Sequence, residues 1–248
     1  MKHILNFGAG VNSTALVIEM VNKKLPLDYV IFADTGCELP ETYNHITRMK
    51  EWFKTKNINF VITSSKYNCT IYDYFFNKRT IPFRKFRDCT DKFKKIPITK
   101  FISQFKKEGV IQYIGISSDE KHRIRFSNKK WITFEYPLVE WNIDRKKCIE
   151  IIKKEGLEIP VKSGCFMCPF QPFESWKNLL NFHPELYKKS REIEEQNRSY
   201  PKNTLTWKGT LKQYEESIKQ QKTIKEFWEE LRCGSKYVKE SCNGFCMT

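Results

Sequence analysis

The stretch Ile4-Leu-Asn-Phe-Gly-Ala-Gly-Val-Asn-Ser-Thr-Ala-Leu16 decides the fold class of this chain. A short apolar run leads into a glycine-rich turn, and a segment with helical apolar spacing follows, which predicts a strand, a tight turn and a helix. Gly8 and Gly10 allow unusual backbone angles and close backbone approach. We expect the N–H groups and the hydroxyls of Ser13 and Thr14 to face outward at the positive helix end. The turn is then either a phosphate-binding loop or an ordinary connection with a serine N-cap.

Strands and helices alternate after this stretch. Apolar runs at residues 27–33 and 58–63 predict strands, and residues 40–56 carry a helical stripe that begins at Pro40. Alternating strands and helices predict a parallel sheet with right-handed crossovers. Ligands of such sheets bind beyond the carboxyl ends of the strands. We therefore expect the glycine turn and residues 34–42 to lie at the same edge.

The rest of the chain predicts two regions. Further strands are expected at residues 110–117 and 131–136, and helices at residues 70–78, 97–107, 144–155, 173–197 and 211–232. Residues 79–87 form a basic loop with interleaved aromatic residues. Residues 1–160 therefore predict an α/β domain, a twisted parallel sheet with helices on both faces. Residues 161–248 predict a helical extension with a Cys-x-x-Cys loop and a cysteine tail.

The composition restricts the location and the partners of the chain. It has 248 residues, 40% of them hydrophobic, and a formal net charge of +15. No apolar run approaches the ~18 residues of a membrane span, and the first residues do not resemble a signal peptide. These features predict a cytoplasmic protein with no membrane partner. The charge indicates either a lysine-rich solvated surface or a polyanionic partner such as tRNA or DNA.

Nine cysteines in a chain predicted to be cytoplasmic argue for metal binding or catalysis rather than disulfides. Three of them lie singly in predicted helices or strands or at their ends, and we expect them to be packing residues: Cys37, Cys69 and Cys148. The other six lie beside turn residues, where metal ligands are usually presented: Cys89, Cys165, Cys168, Cys233, Cys242 and Cys246.

The spacing of four cysteines is typical of a metal site. Cys165 and Cys168 form a Cys-x-x-Cys pair in a Gly/Pro-containing loop, and two thiolates at this spacing can hold one metal centre. Cys242 and Cys246 supply a second pair, with Gly244 between them. From spacing alone, these four residues could bind a structural zinc ion without any catalytic role.

The glycine turn resembles the PP-loop of ATP pyrophosphatases, whose pattern is Ser-Gly-Gly-x-Asp-Ser. This chain reads Gly8-Ala-Gly-Val-Asn-Ser13, so Gly8 replaces Ser, Ala9 replaces Gly and Asn12 replaces Asp. The side chain of Asn12 can still form hydrogen bonds but carries no charge. The resemblance implies the adenine nucleotide alpha hydrolase-like fold of that superfamily.

Further segments, in the same order along the chain, are similar to motifs of sulfonucleotide reductases. Asp34-Thr-Gly…Glu41-Thr42 resembles a segment of phosphoadenylyl sulfate (PAPS) reductases. Four other segments resemble motifs of the iron–sulfur adenylyl-sulfate (APS) reductases: residues 89–97, 114–123, 136–141 and 163–168. Together these segments identify the chain as similar to the PAPS reductase and DndC-like family.

The resemblance implies an ATP site with Mg²⁺. The residues expected to bind the nucleotide are Gly8, Ala9, Gly10, Asn12, Ser13, Thr14, Asp34, Thr35 and Gly36. Lys94 and Arg123, with Arg125, are expected to stabilise the charge that develops during phosphoryl transfer. The basic loop and the helical extension are expected either to hold a nucleic acid or to form a solvated surface.

The resemblance also favours a [4Fe–4S] cluster over zinc, because Cys89 matches a cluster ligand of the family and the zinc interpretation leaves it without a role. Cys89, Cys165 and Cys168 are the expected ligands, and Cys89 is also a candidate catalytic residue. Thr90 stands where the family has a second cysteine. The fourth iron is then bound by Cys246 or Cys242, or is open and able to carry sulfide.

The C-terminus separates three hypotheses. Sulfonucleotide reductases attack sulfur with a cysteine in a Glu-Cys-Gly-x-His tail, whereas this chain ends Ser241-Cys-Asn-Gly-Phe-Cys-Met-Thr248. The departure favours an ATP pyrophosphatase that adenylates its substrate and transfers sulfur to a nucleic acid, with a donor such as a cysteine desulfurase. The alternatives are a PAPS or APS reductase, and a non-catalytic nucleotide-binding component with structural zinc.

Overall fold

The computed structural model describes residues 1–198 and 203–220. Its sheet has five parallel strands in the spatial order β3-β2-β1-β4-β5. The strands are β1 (Lys2–Asn6), β2 (Tyr29–Asp34), β3 (Asn59–Ser64), β4 (Val110–Ile114) and β5 (Ile132–Glu135). Strands are added on one side of β1 up to β3, and on the other side from β4 onward. This order confirms the predicted parallel α/β fold.

Helices connect the strands and form the C-terminal region. The α-helices are α1 (Val11–Asn22), α2 (Pro40–Thr55), α3 (Ile71–Asn77), α4 (Asp88–Thr90), α5 (Ile96–Ile102), α6 (Pro137–Glu140), α7 (Arg145–Lys154), α8 (Phe173–Phe182), α9 (Pro184–Glu195) and α10 (Leu211–Lys219). A π-helical turn covers Asp91–Lys95, and 3₁₀ turns cover Ser103–Phe105 and Ser118–Arg123.

Helices pack on both faces of the sheet, as predicted. On one face, Leu5 of β1 packs in a cluster with Phe53 of α2 and Ile152 of α7. On the other face, Ile4 packs in a cluster with Ile102 of α5. Successive side chains of a strand point to opposite faces, so a central strand that is covered on both faces is apolar throughout. This explains why the successive residues Ile4 and Leu5 of β1 are both apolar and both buried.

Two predicted helices have different bounds in the structure. Residues 173–197 were expected to form one helix, but α8 and α9 are separated at His183, whose φ of −139° is not helical. The residue before a proline disfavours the helical region, and Pro184 then begins the next helix. The helix expected at residues 97–107 ends at Ile102 and continues as a 3₁₀ turn. Residues 221–232 of the last predicted helix lie outside the described residues.

The described residues divide into two compact units. Unit 1 contains residues 1–68 and 91–164, which include the sheet. Unit 2 contains residues 69–90, 165–198 and 203–220, in which α8 packs on both α9 and α10. The division expected near residue 160 stays a prediction about domains, and the structure groups residues 69–90 with the later helices. Within the described part of the chain, no helix has the length and apolar character of a membrane span.

Candidate functional site

The glycine turn joins β1 to α1 in unit 1. Ala9 has a φ of +54°, and Gly10 is the N-cap of α1. The Ser13 hydroxyl accepts a hydrogen bond from the Gly10 N–H at 3.3 Å and donates one to the Gly10 carbonyl at 3.1 Å. An added Cβ on Gly10 would lie 2.8 Å from the Ser163 hydroxyl oxygen. The turn is therefore closed on itself, and the first N–H groups of α1 have no acceptor within the helix.

The hydroxyls of this turn do not face outward as expected. Ser13 and Thr14 are 1% and 0% exposed. Besides the Ser13 contacts, the Thr14 hydroxyl lies 2.9 Å from His45 Nε2 of α2. The expectation was wrong because the side chains of the first helical turn satisfy local and core hydrogen bonds. Only backbone groups of the turn are left to meet an anion.

His45 is a residue that sequence reasoning missed. It is 5% exposed, and burial, followed by the nearby Arg48 charge, lowers its pKa to about 4. The imidazole is therefore neutral at pH 7, and its tautomer sets whether Nε2 accepts a hydrogen bond from the Thr14 hydroxyl or donates one to it. Its sequence signal is weak, since a histidine on the apolar stripe of a helix is typical of a packed core.

The departure at Asn12 is compensated by a residue far along the chain. Asn12 Nδ2 donates to Ser117 Oγ and to Glu120 Oε2, each at 3.0 Å. The other oxygen of Glu120 accepts from Arg123 Nη1 at 2.5 Å. An aspartate at position 12 would place two carboxylates against each other. Asn12 therefore contacts a carboxylate that is itself paired with Arg123.

The loop after β4 lies directly against the glycine turn. An added Cβ on Gly115 would lie 2.9 Å from both the backbone N and the Cα of Ser13, so the two loops leave no space for a side chain. Arg123, at the end of the following 3₁₀ turn, is 7% exposed. The chain reverses its strand order between β1 and β4, where open α/β sheets bind ligands.

The segment after β2 forms the third part of this edge. Asp34 Oδ1 accepts from the Gly36 N–H at 2.8 Å and from the Tyr43 hydroxyl at 2.9 Å. Burial and this carboxylate raise the pKa of Tyr43. Thr35 donates to Glu38 Oε1 at 3.2 Å. These bonds hold residues 34–38 in a fixed turn.

The buried Glu38 forms an ion pair with the partly exposed Lys94 beside this turn. Glu38 is 4% exposed, and its Oε1 lies 3.5 Å from Lys94 Nζ. Its Oε2 is buried and has no hydrogen-bond partner among the residues described. Because a buried carboxylate oxygen without a donor is costly, it is suited to a ligand group that donates. Glu38 lies two residues after Gly36, and a carboxylate in such a loop is the signal that could have identified it.

The cysteines of the predicted cluster lie in unit 2. Cys165 and Cys168 flank a tight turn that is closed by a hydrogen bond from the Cys168 N–H to the Cys165 carbonyl at 3.0 Å. Gln171 Nε2 donates to the Phe166 carbonyl at 2.6 Å and orders the same turn. Cys89 lies in α4, after Arg87, which has a φ of +52°. All three cysteines are half-buried.

No group of three or more His, Cys, Asp or Glu side chains within residues 1–198 and 203–220 is arranged to hold a metal ion. Cys242 and Cys246 lie outside this part of the chain, as does Cys233. Cys37 and Cys148 are buried at 1% and 0% exposure, as expected of packing residues. Burial raises the pKa of Cys148 to about 12 and also raises that of Cys69, which is only half-buried.

The basic loop in unit 2 uses its arginines internally. Arg84 donates to the carbonyls of Pro169 and Thr206, and its guanidinium lies 4.4 Å from the centre of the Trp207 ring. Arg87 lies 5.0 Å from the centre of the Phe170 ring. These contacts hold the loop to its own unit. They do not present the two guanidinium groups to a polyanion.

Comparison with known proteins extends the sequence resemblance. The family model described as "Phosphoadenosine phosphosulfate reductase domain" matches residues 2–159. The chain is 25% identical over 204 residues to an uncharacterized protein of Methanocaldococcus jannaschii, which covers 75% of this chain. The chain spans only 40% of the length of that relative.

Two solved structures match this chain at low identity. The U34-tRNA thiolase NcsA of Methanococcus maripaludis, with its [4Fe–4S] cluster, has a TM-score of 0.50 and 17% identity, over 82% of this chain and 73% of its own. The PAPS reductase of Candida auris in a phosphate complex has a TM-score of 0.48 and 15% identity, over 64% of this chain and 75% of its own. The NcsA likeness supports the fold alone.

Proposed function

The chain belongs to the phosphoadenosine phosphosulfate reductase domain family, within the PP-loop superfamily, and we propose that it is an ATP-dependent sulfur-transfer enzyme. It binds ATP at the glycine turn, adenylates its substrate with release of pyrophosphate, and delivers sulfur to the activated position. The proposed acceptor is a nucleic acid, tRNA or DNA. The sulfur donor is proposed to be a protein such as a cysteine desulfurase.

One observation carries the nucleotide part of this proposal. The glycine turn, residues 34–38 and residues 115–123 meet at the carboxyl edge of the sheet within unit 1, at the point where the strand order reverses. The turn offers backbone N–H groups at a helix N-terminus, which favour a phosphate. The buried Oε2 of Glu38 fits a donor such as a ribose hydroxyl or a water bound to Mg²⁺.

The residues at this edge have proposed roles. The backbone of residues 8–14 holds the phosphates, and residues 34–36 hold the nucleoside. An oxygen of the substrate attacks the α-phosphorus while the bond to pyrophosphate breaks. Lys94, oriented by Glu38, and Arg123, oriented by Glu120, stabilise the charge that develops on the phosphoryl oxygens. A sulfur nucleophile then displaces AMP.

The thiols of unit 2 have the chemistry of a thiolate-bound metal group, although within residues 1–198 and 203–220 no three of them are arranged around one metal ion. The turn at Cys165 and Cys168, together with Cys89 in the same compact unit, supplies three half-buried thiols of the type that binds iron–sulfur clusters. We propose that these residues hold a [4Fe–4S] cluster, with Cys242 or Cys246 as the candidate fourth ligand. When bound, such a cluster supplies iron that can hold sulfide, and zinc is the less favoured occupant.

A pair of glycine variants tests the nucleotide site. Gly115→Ala forces the loop after β4 away from the Ser13 backbone, and we expect ATP affinity to fall by about 10-fold. Gly156→Ala is the control, because its added Cβ has no heavy atom within 4 Å although its φ is +75°. Isothermal titration with ATP and Mg²⁺ measures both, and circular dichroism verifies folding. Equal ATP affinity in folded Gly115→Ala protein would place the nucleotide elsewhere.

Iron and sulfide analysis of anaerobic protein tests the metal centre. We expect iron and absorbance near 400 nm in the wild type, loss of both in Cys165→Ser, and no loss in Cys69→Ser, a half-buried cysteine of the same unit. Stoichiometric zinc without iron would contradict the cluster.

A pyrophosphate-release assay then tests whether the protein activates its substrate with ATP. A sulfonate adduct on Cys242 or Cys246 after mixing with PAPS would favour the reductase alternative.

A further inference from the structure

One surface of unit 1 combines a highly exposed aromatic ring with several basic side chains nearby. Phe126 is 88% exposed, more than Phe182 at 73% or Phe86 at 59%. Arg125, Lys129 and Lys130 are also exposed. The chain has no acidic residue from position 121 to position 134. We call residues 125–130 the basic turn, and it accounts for part of the net charge of +15.

The backbone around Phe126 is held on both sides. The Tyr136 hydroxyl accepts from the Arg125 N–H at 3.0 Å and donates to the Arg125 carbonyl at 2.7 Å. The Ser127 hydroxyl accepts from the Lys129 N–H at 3.1 Å. Phe126 therefore stands between two anchored positions, and its exposure follows from how the backbone is fixed.

The basic turn spans the length of the edge strand β5. Arg125 is bound to Tyr136, which follows the carboxyl end of β5. At the other end, the Trp131 carbonyl accepts from the Val110 N–H, at the start of β4. β5 is separated from β1 by one strand, so its carboxyl end lies about 10 Å from that of β1, which leads into the glycine turn.

We propose that the basic turn is the nucleic-acid-binding surface of this protein, with Phe126 stacking on an unpaired base and the neighbouring cations contacting phosphates. A ring flanked by cations is the arrangement with which proteins hold single-stranded nucleic acid. The turn begins at the same sheet edge as the proposed site of activation, so a bound strand would pass beside it. The inference rests on the nucleic-acid acceptor of the proposed function and names the surface that holds it.

Anisotropy with a fluorescent single-stranded oligoribonucleotide of mixed sequence tests the surface, with a DNA oligonucleotide of the same sequence as a second probe. We expect Phe126→Ala to lower affinity by about 10-fold and Phe126→Trp to retain it, because stacking needs a ring and not its identity. Phe182→Ala, which removes a ring that is 73% exposed in α8, is the matched control and should bind as the wild type does. Phe86→Ala tests the rival basic loop, where the ring is 59% exposed.

Salt dependence tests the interaction with phosphates. Lys129→Gln and Lys130→Gln should each reduce the slope of log affinity against log salt by about 0.7, because each variant neutralises one phosphate fewer. If Phe126→Ala binds the oligonucleotides as tightly as the wild type, or if only Phe86→Ala binds them more weakly, the basic turn is not the binding surface. The proposal that a nucleic acid is the acceptor would then still stand. If the wild type binds neither oligonucleotide, both the proposed binding surface and the proposed nucleic-acid acceptor are wrong. ATP affinity and pyrophosphate release do not depend on these outcomes, so activation is tested separately.

Discussion

Two basic segments of this chain differ in how far their side chains are used within the fold. The basic loop at residues 79–87 interleaves cations with two phenylalanines, whereas the basic turn at residues 125–130 has one ring, Phe126, among three cations. In the basic loop, Arg84 packs on the Trp207 ring and donates to two carbonyls of its own unit. In the basic turn, Arg125 also donates to two carbonyls of its own loop, those of His122 and Ile124, but its side chain is exposed and Phe126 faces solvent.

The difference shows that cations next to aromatic rings do not by themselves indicate a binding surface. A guanidinium over a ring is equally a packing device, and it stabilises the fold when its donors meet carbonyls. A surface is available to a partner only where the structure leaves the ring and the charges exposed. From the sequence, the basic loop was either a nucleic-acid contact or a solvated surface, and our proposal now places that contact at the basic turn.

The substitution with the largest expected effect removes packing contacts of the basic loop. Arg84→Ala removes the charge-assisted bonds to the Pro169 and Thr206 carbonyls and the stacking on Trp207, and we expect the free energy of unfolding to fall by about 3 kcal/mol. Chemical denaturation measures this. Lys85→Ala is the control, because its side chain is exposed and its removal should cost less than about 0.5 kcal/mol. Equal effects of the two variants would show that the contacts of Arg84 do not stabilise the basic loop.

A buried carboxylate beside the basic loop gives a pH dependence. Glu194 accepts from the Leu205 N–H at 2.8 Å and from the Leu211 N–H at 2.6 Å, which frames the segment that carries Thr206. Burial raises the pKa of Glu194 above its ordinary value near 4.5, although the two N–H bonds oppose this. The native state therefore binds this proton more tightly than the unfolded state does. The resulting stability is present below about pH 4.5 and is lost as pH rises through the native pKa.

Glu194→Gln tests the direction of this pH dependence of stability. The variant lacks the titration, and one of its two backbone N–H partners meets an amide NH₂, so we expect it to be less stable by about 1–3 kcal/mol. The difference in melting temperature between wild type and variant should narrow as pH rises from 4 toward 7. Melting curves over this range measure it. A difference that widens with pH would show that the two N–H bonds outweigh burial.

The smallest effect tests how the basic turn is held. Tyr136→Phe removes the hydroxyl that binds the Arg125 backbone, and we expect a decrease of about 1 kcal/mol in the free energy of unfolding. Oligonucleotide affinity should fall a few-fold, because Phe126 is less well positioned. Tyr43→Phe, which removes a hydroxyl bonded to Asp34, is the control and should leave that affinity unchanged. If Tyr136→Phe leaves the oligonucleotide affinity unchanged, nucleic-acid binding does not depend on how the Tyr136 hydroxyl fixes the basic turn.

The local parts of the fold could be predicted from the sequence. The strand, turn and helix at the N-terminus follow from apolar spacing and two glycines, which act within a few residues. The helix at residues 40–56 was expected from its stripe and from Pro40 and is found as Pro40–Thr55. The break at His183 also had a local signal, since Pro184 follows it.

Only the tertiary structure decided which polar groups of the site remain available. Asn12 meets Glu120 across 108 positions of the chain, and Thr14 meets His45 across 31. No local pattern shows such pairs, because they depend on how loops from different strands meet. The same reason applies to Cys89, which joins the unit of Cys165 and Cys168 only through folding. The sequence by itself determined the parallel α/β class and the family. Tertiary packing determined that the glycine turn has its backbone N–H groups, and not its hydroxyls, available to a ligand. It also determined that the Phe126 side chain is exposed to solvent.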